Sequence, residues 1–93
     1  VIKSFKIRMT QAAFDGEALK GFPAALLKVT RRRLNYLDSA TSLHDLQSPP
    51  GNRLEALKGD RQGQHSIRVN DQFRICFVWT SEGPTDVEFV DYH

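Results

Sequence analysis

The sequence contains one cysteine, Cys76, and only three histidines, His44, His65 and His93, far apart along the chain. One thiol excludes an internal disulfide, and no group of residues has the spacing of a zinc site, so no metal or cofactor is expected. Long apolar runs are also missing. The longest is Ile75 to Trp79, and the mean hydropathy is -0.44. Neither a membrane span nor a signal-peptide core can be placed, so the expectation is a cytoplasmic protein with no membrane partner. Excess charge is scarce in total: 13 Lys and Arg stand against 11 Asp and Glu, a net +2 that does not by itself mark a nucleic-acid-binding chain.

What is present suits one core. The 93 residues are 40% hydrophobic and 10% aromatic, too few to divide between two cores and too apolar for a disordered tail. One domain spanning 1–93 is expected. The charge is unevenly laid out. Residues 1–33 carry eight Lys and Arg against two acids, whereas residues 75–93 carry four acids and no Lys or Arg. The molecule therefore reads as bipolar.

The cluster Ser48-Pro49-Pro50-Gly51 divides the chain into two halves of different pattern. Before it, Leu26, Leu27, Thr30, Leu34 and Leu37 share one face at helical spacing, with Arg32 opposite, which predicts a helix from Pro23 to Ala40. A preceding helix is predicted from Thr10 to Lys20, stopped by Gly21, and Ser42 to Asp45 match a capping box. After the prolines, short runs rich in Ile, Val and Phe predict strands at Arg53 to Leu57, His65 to Val69, Phe73 to Thr80 and Val87 to Tyr92, with Ile2 to Phe5 as a further edge strand. The expected fold is α+β, in the order β-α-α-β-β-β-β, with two N-terminal helices covering one face of an antiparallel sheet.

Strand alternation sends Arg74 and Arg68 to the face opposite Ile75 and Ile67, which predicts a wetter, cationic side of the sheet. The turn after the first of these strands carries Lys58 and Arg61, and the chain finishes Asp91-Tyr92-His93. Metal-independent cleavage of RNA needs a base for the 2'-OH, cations for the phosphorane and an acid for the departing 5'-oxygen. Lys, Arg and an imidazole that exchanges its proton near neutral pH can supply these roles. Each residue also has an ordinary reading: a solvated end for His93, a surface cation for Arg74, a turn for Lys58-Gly59-Asp60, and a wet helix face for Arg31 to Arg33. His44 and His65 carry no signal beyond surface placement.

Three stretches taken together resemble the HigB branch of the RelE-type toxins: Asn52 to Arg61, His65 to Phe77, and Val90-Asp91-Tyr92-His93. Ile2 to Phe5 and Leu37 to Ala40 extend the likeness over nearly the full length. The resemblance implies the toxin of a type II toxin-antitoxin module, a ribosome-dependent endoribonuclease that cuts mRNA in the decoding site and inhibits translation. It implies catalytic roles for His93, Arg74, Lys58 and Asp91, with Tyr92 shaping the substrate site; Arg68, Arg53 and Glu55 on the neighbouring strands join Tyr92 as candidate substrate-binding residues, and Glu55 is also a candidate base. It also implies a cognate helix-turn-helix antitoxin, with operator DNA bound only through that antitoxin. One departure stands out: several relatives carry histidine where this chain has Glu55, whose carboxylate repels phosphate unless Lys58 or Arg53 pairs with it. The alternative reading is a module of the same fold that binds RNA, ribosome or protein without catalysis. The basic first third offers a surface for docking on ribosomal RNA.

Overall fold

The structure is a computed structural model that describes residues 1–92. His93, the expected catalytic imidazole, lies outside the described residues. Two helices, α1 (Arg8–Phe14) and α2 (Leu27–Ser39), precede an antiparallel sheet of β1 (Glu55–Ala56), β2 (His65–Arg68), β3 (Phe73–Thr80) and β4 (Gly83–Asp91) in spatial order β1-β2-β3-β4. The fold is α+β, as expected. Ile67, Ile75 and Phe89 lie in register across three strands, and they share a buried cluster with Ala13, Leu34 and Leu37 of the helices.

α2 follows its periodicity closely. Thr30, Leu34 and Leu37 are buried, Leu26 and Leu27 sit half-buried at the core rim, and Arg32 is exposed. α1 is shorter than expected, ending before Asp15 rather than at Lys20. Gly16, at φ +93°, turns the chain back so that its N–H donates to Ala13 O at 3.0 Å and that of Glu17 to Ala12 O at 2.8 Å. Arg31 lies against this glycine and donates from Nε to Phe14 O at 3.2 Å, satisfying a carbonyl the helix end leaves open. The stop is therefore Gly16, and Gly21 belongs to the connection that follows.

The segment between α2 and the sheet is fixed by side chains. Ser42 and Asp45 form the expected capping box, opening a 3-10 turn at Leu43–Gln47. Asp45 Oδ2 accepts from the Thr41 N–H at 2.9 Å and the Ser42 N–H at 3.3 Å, and these contacts, that of Thr41 foremost, hold its carboxyl below the ordinary aspartate value. Asn52 is fully buried: its Nδ2 donates to Leu46 O and Ser48 O, while its Oδ1 accepts from Arg33 Nη1 at 2.9 Å. Arg33 is thus turned inward to brace the chain entering the sheet, and only part of the Arg31 to Arg33 run is a wet face.

The strands differ most from expectation at three places, and β2 ends one residue early, at Arg68. β1 has two residues because Arg53 adopts a left-handed backbone, φ 45° and ψ 57°, which cannot continue a strand. β4 starts at Gly83 rather than Val87, so the connection from β3 is tight. Residues Ile2 to Phe5 do not form a strand; they run beside β4 with one parallel bridge, Phe5 to Val87. Pro84 has no N–H to offer a ladder there, and the Ile2 N–H is drawn away to Asp38 Oδ1 at 2.9 Å. The approach is close at Gly83 (φ +126°), where a Cβ would lie 2.6 Å from the Val1 carbonyl oxygen.

Candidate functional site

On the sheet face away from the helices, Glu55, Ser66, Cys76 and Glu88 form one cross-strand row, and Arg68, Arg74 and Val90 form the next. The expected wet face is corrected over three residues of the first row, Ser66, Cys76 and Glu88. Ser66 and Cys76 are 0% exposed and Glu88 only 8%. The cause is Arg61, which extends from the turn Gly59–Arg61 past β2 and β3 to Glu88 on β4. Its Nη1 lies 2.8 Å from Glu88 Oε1 and also donates to Gln64 Oε1 at 3.1 Å, and Lys6 Nζ approaches the same Glu88 oxygen at 3.6 Å. The hydrogen bond to Glu88 raises the Arg61 pKa above its ordinary value. Burial in the same layer pushes the Cys76 thiol up, partly opposed by the nearby Arg61 charge.

A raised thiol value favours the neutral form in the folded state. Its stabilising effect is complete below the unfolded thiol value and is lost as pH rises through the folded one. At pH 8 the folded protein should react with iodoacetamide at least about tenfold more slowly than the urea-unfolded chain. Equal rates measured by mass spectrometry would show that the layer over Cys76 is open.

The second row stays accessible. Arg74 donates from Nε to Ser66 Oγ at 2.7 Å and from Nη2 to the Arg53 carbonyl at 2.6 Å, and its guanidinium carbon lies 5.7 Å from the centre of the Tyr92 ring. The left-handed Arg53 is what turns that carbonyl toward Arg74. Among the described residues Nη1 has no hydrogen-bond partner, so a clamped guanidinium keeps a donor edge for an anion.

Tyr92 also lines a cleft of about 500 Å³ with Glu55, Ala56, Leu57 and Lys58. Lys58 precedes the turn that Arg61 ties down, and its ammonium has no hydrogen bond or ion pair among the described residues. Neither does the exposed Glu55 carboxylate, so the pairing with Lys58 or Arg53 that would offset its repulsion of phosphate is absent from this set. The structure therefore brings Lys58, Glu55 and Tyr92 into one cleft, with Arg74 adjoining through Tyr92.

Arg68 faces the same side beside Arg74, but its Nη2 is paired with the exposed Asp71 carboxylate. Such an exposed pair is worth little, so exchange for another anion is inexpensive. Asp91 is placed differently. Its backbone pairs with Phe73, and it lines a groove on the helix side with Phe22, Phe73 and Phe89. The sheet separates it from Lys58 and Arg74. Gln72 Nε2 donates to Asp91 Oδ2 at 3.1 Å and Gln72 O accepts the Tyr92 N–H at 2.7 Å, so this contact holds the end of β4 and with it Tyr92. Sequence reasoning missed Ser66, Glu88 and Asn52 as supports. Only the cross-strand register reveals the first two, and Asn52 shows no local signal beyond its place after the proline pair.

A family model described as a RelE-like toxin of the type II toxin-antitoxin system HigB matches residues 3–93. The chain is 41% identical over 79 residues to "Toxin HigB-1" of Vibrio cholerae, covering 85% of this chain and 82% of that protein. It is 33% identical to "Endoribonuclease HigB" of Proteus vulgaris over 93 residues, the whole of both. Among solved structures, a chain of the YoeB-YefM complex from Staphylococcus aureus shares the fold with a TM-score of 0.63 and 14% identity, over 100% of this chain and 98% of that one.

Proposed function

The chain belongs to the HigB-like family of RelE-like toxins of type II toxin-antitoxin systems, and from that premise we propose a metal-independent endoribonuclease that cuts messenger RNA held in the ribosomal decoding site. The observation that carries the chemistry is the clamped Arg74 beside Tyr92, at the margin of a cleft that also holds Lys58, which has no partner among the described residues. In this reading the scissile phosphate takes the free edge of Arg74, and Lys58 supplies the second cation. The 2'-oxygen loses its proton to a base and bonds to phosphorus, and the bond from phosphorus to the 5'-oxygen breaks as that oxygen receives a proton. The products are a 2',3'-cyclic phosphate and a 5'-hydroxyl end. Proton transfer is assigned to His93. Tyr92 and Arg68 contact the RNA, Arg53 fixes Arg74 through its carbonyl, and Asp91 acts from the far side of β4 by holding the end that carries Tyr92.

Glu55 gives the cleft a negative wall, so phosphate is held there against one carboxylate, in a site of weaker electrostatic attraction than a histidine at that position would give. The partner in the cell is a cognate antitoxin of helix-turn-helix type, through which operator DNA is bound. Docking on ribosomal RNA is assigned to the surface cleft of about 620 Å³ that Lys28, Arg31 and Arg32 line with Ala24, Ala25 and Leu27. Among the described residues no helix is long and apolar enough to cross a membrane, which is compatible with action in the cytoplasm.

The test is transcriptome-wide mapping of RNA ends in cells with and without induction of the protein. New 5'-hydroxyl ends inside translated reading frames are expected. Growth inhibition with no new ends would instead favour a non-catalytic module occupying the ribosome or RNA.

A further inference from the structure

A second cleft adjoins the proposed active site at the β1 edge of the sheet. It measures about 360 Å³, is lined by Leu43, His44, Gln47, Leu54, Ala56 and His65, and shares Ala56 with the cleft of Lys58 and Tyr92. β1 is the outermost strand on this side, and among the described residues nothing pairs with its outer edge. Ala56 lines both clefts, so the two meet at this short edge strand.

The lining selects the ligand. It includes no Lys, Arg, Asp or Glu, so it offers no fixed charge to a phosphate. Leu43, Leu54 and Ala56 give apolar walls, while Gln47 and the two imidazoles offer hydrogen-bonding groups. Flat apolar faces with a polar edge are the chemistry of a nucleobase, and the volume lies near the lower end of the roughly 300–1,000 Å³ found for small-ligand clefts. The supports are rigid. His44 and Gln47 project from the 3-10 turn held by the Ser42–Asp45 capping box, and the His65 ring stacks on Phe77 at 6.2 Å and 23°. His65 Nδ1 is buried with no hydrogen-bond partner among the described residues, so the ring is held by packing rather than by a polar contact within the chain.

We propose that this cleft is a base-reading subsite, in which one nucleotide at a fixed offset from the cut places its base against His44, Gln47 and His65. The proposal rests on the endoribonuclease reading. It assigns part of the sequence preference to the toxin, in a pocket separate from the reacting groups.

The test is end mapping after induction of the wild type and of a His44→Ala, Gln47→Ala double variant, with circular dichroism to confirm that the variant folds. Both residues are exposed, and neither lines the cleft of Lys58. Total cutting is expected to stay within about threefold of wild type, while the base preference at one position falls at least about fivefold. A Gln47→Glu variant, which removes the amide donor, should shift the preferred base at that same position. Unchanged preference at every position, or a wild type with no preference at all, would overturn the proposal. So would loss of cutting by the folded double variant, which would place these residues in catalysis, or loss of antitoxin binding with preference intact, which would assign the surface to that protein. Absence of cutting by the wild type would sink the endoribonuclease reading itself.

Discussion

Alanine at Arg74 is expected to lower cleavage of translated RNA by about 100- to 1,000-fold, the range for removal of one preorganised group that stabilises developing charge. The geometry sets this expectation. Ser66 Oγ and the Arg53 carbonyl fix two edges of the guanidinium, Tyr92 covers its face, and Nη1, without a partner among the described residues, is the donor that the proposed mechanism gives to the phosphate. Arg74→Lys should recover only a small part of the loss, because an ammonium keeps the charge but not the planar fork that these contacts hold. The measurement is the rate of messenger cleavage on purified ribosomes, with thermal unfolding of each variant as the control. Full activity in folded Arg74→Ala would remove Arg74 from the mechanism.

The second large effect concerns stability. Arg61→Ala should destabilise the fold by about 2–3 kcal/mol, which for a chain of this size lowers Tm by roughly 10 °C or more. Glu88, 8% exposed beneath Arg61, would be partly uncovered, and among the described residues only Lys6 at 3.6 Å would remain to offset its charge. The cost falls below that of a fully buried pair because the Arg61 side chain is 33% exposed. A double variant, Arg61→Ala with Glu88→Leu, should recover most of the loss, since it removes the stranded carboxylate together with its partner. Calorimetry of the single and double variants decides the matter: additive losses would show that the two residues do not act as a pair. Because the same turn starts after Lys58, Arg61→Ala should also reduce cleavage below the unfolding temperature.

The sheet and α2 were legible because their patterns are local. Leu34 and Leu37 repeat at helical spacing, and Ile75 and Phe77 alternate with Arg74 and Cys76. What stayed hidden depends on distance or on a single backbone angle. Glu17 to Lys20 are acceptable helix residues, yet Gly16 ends α1 first. Arg53 leaves the strand through its left-handed angle, which no periodicity encodes. The covering of Cys76 follows from an ion pair between residues 61 and 88, far apart in sequence. Within the candidate site, Lys58 of the turn and Tyr92 of the strand end, both singled out from the sequence, line one cleft, whereas the placement of Asp91 required strand parity: with Phe89 facing the helices, Asp91 faces them too. Asn52 looks like an ordinary turn residue until its three hydrogen bonds are seen.

The close passage of the N-terminal segment over Gly83 has a bearing on self-association. A sheet of four strands has two edges at which another chain can add a strand and begin an aggregate. Here the outer edge of β4 is occupied along part of its length, with Lys3 and Lys6 donating to Pro84 O and Val87 O and Ser4 accepting from Val87 N–H. The other edge, β1, is two residues long and broken by Arg53 on one side and the turn of Lys58 on the other. Among the described residues, neither edge therefore offers a long open template for the addition of a strand from another chain.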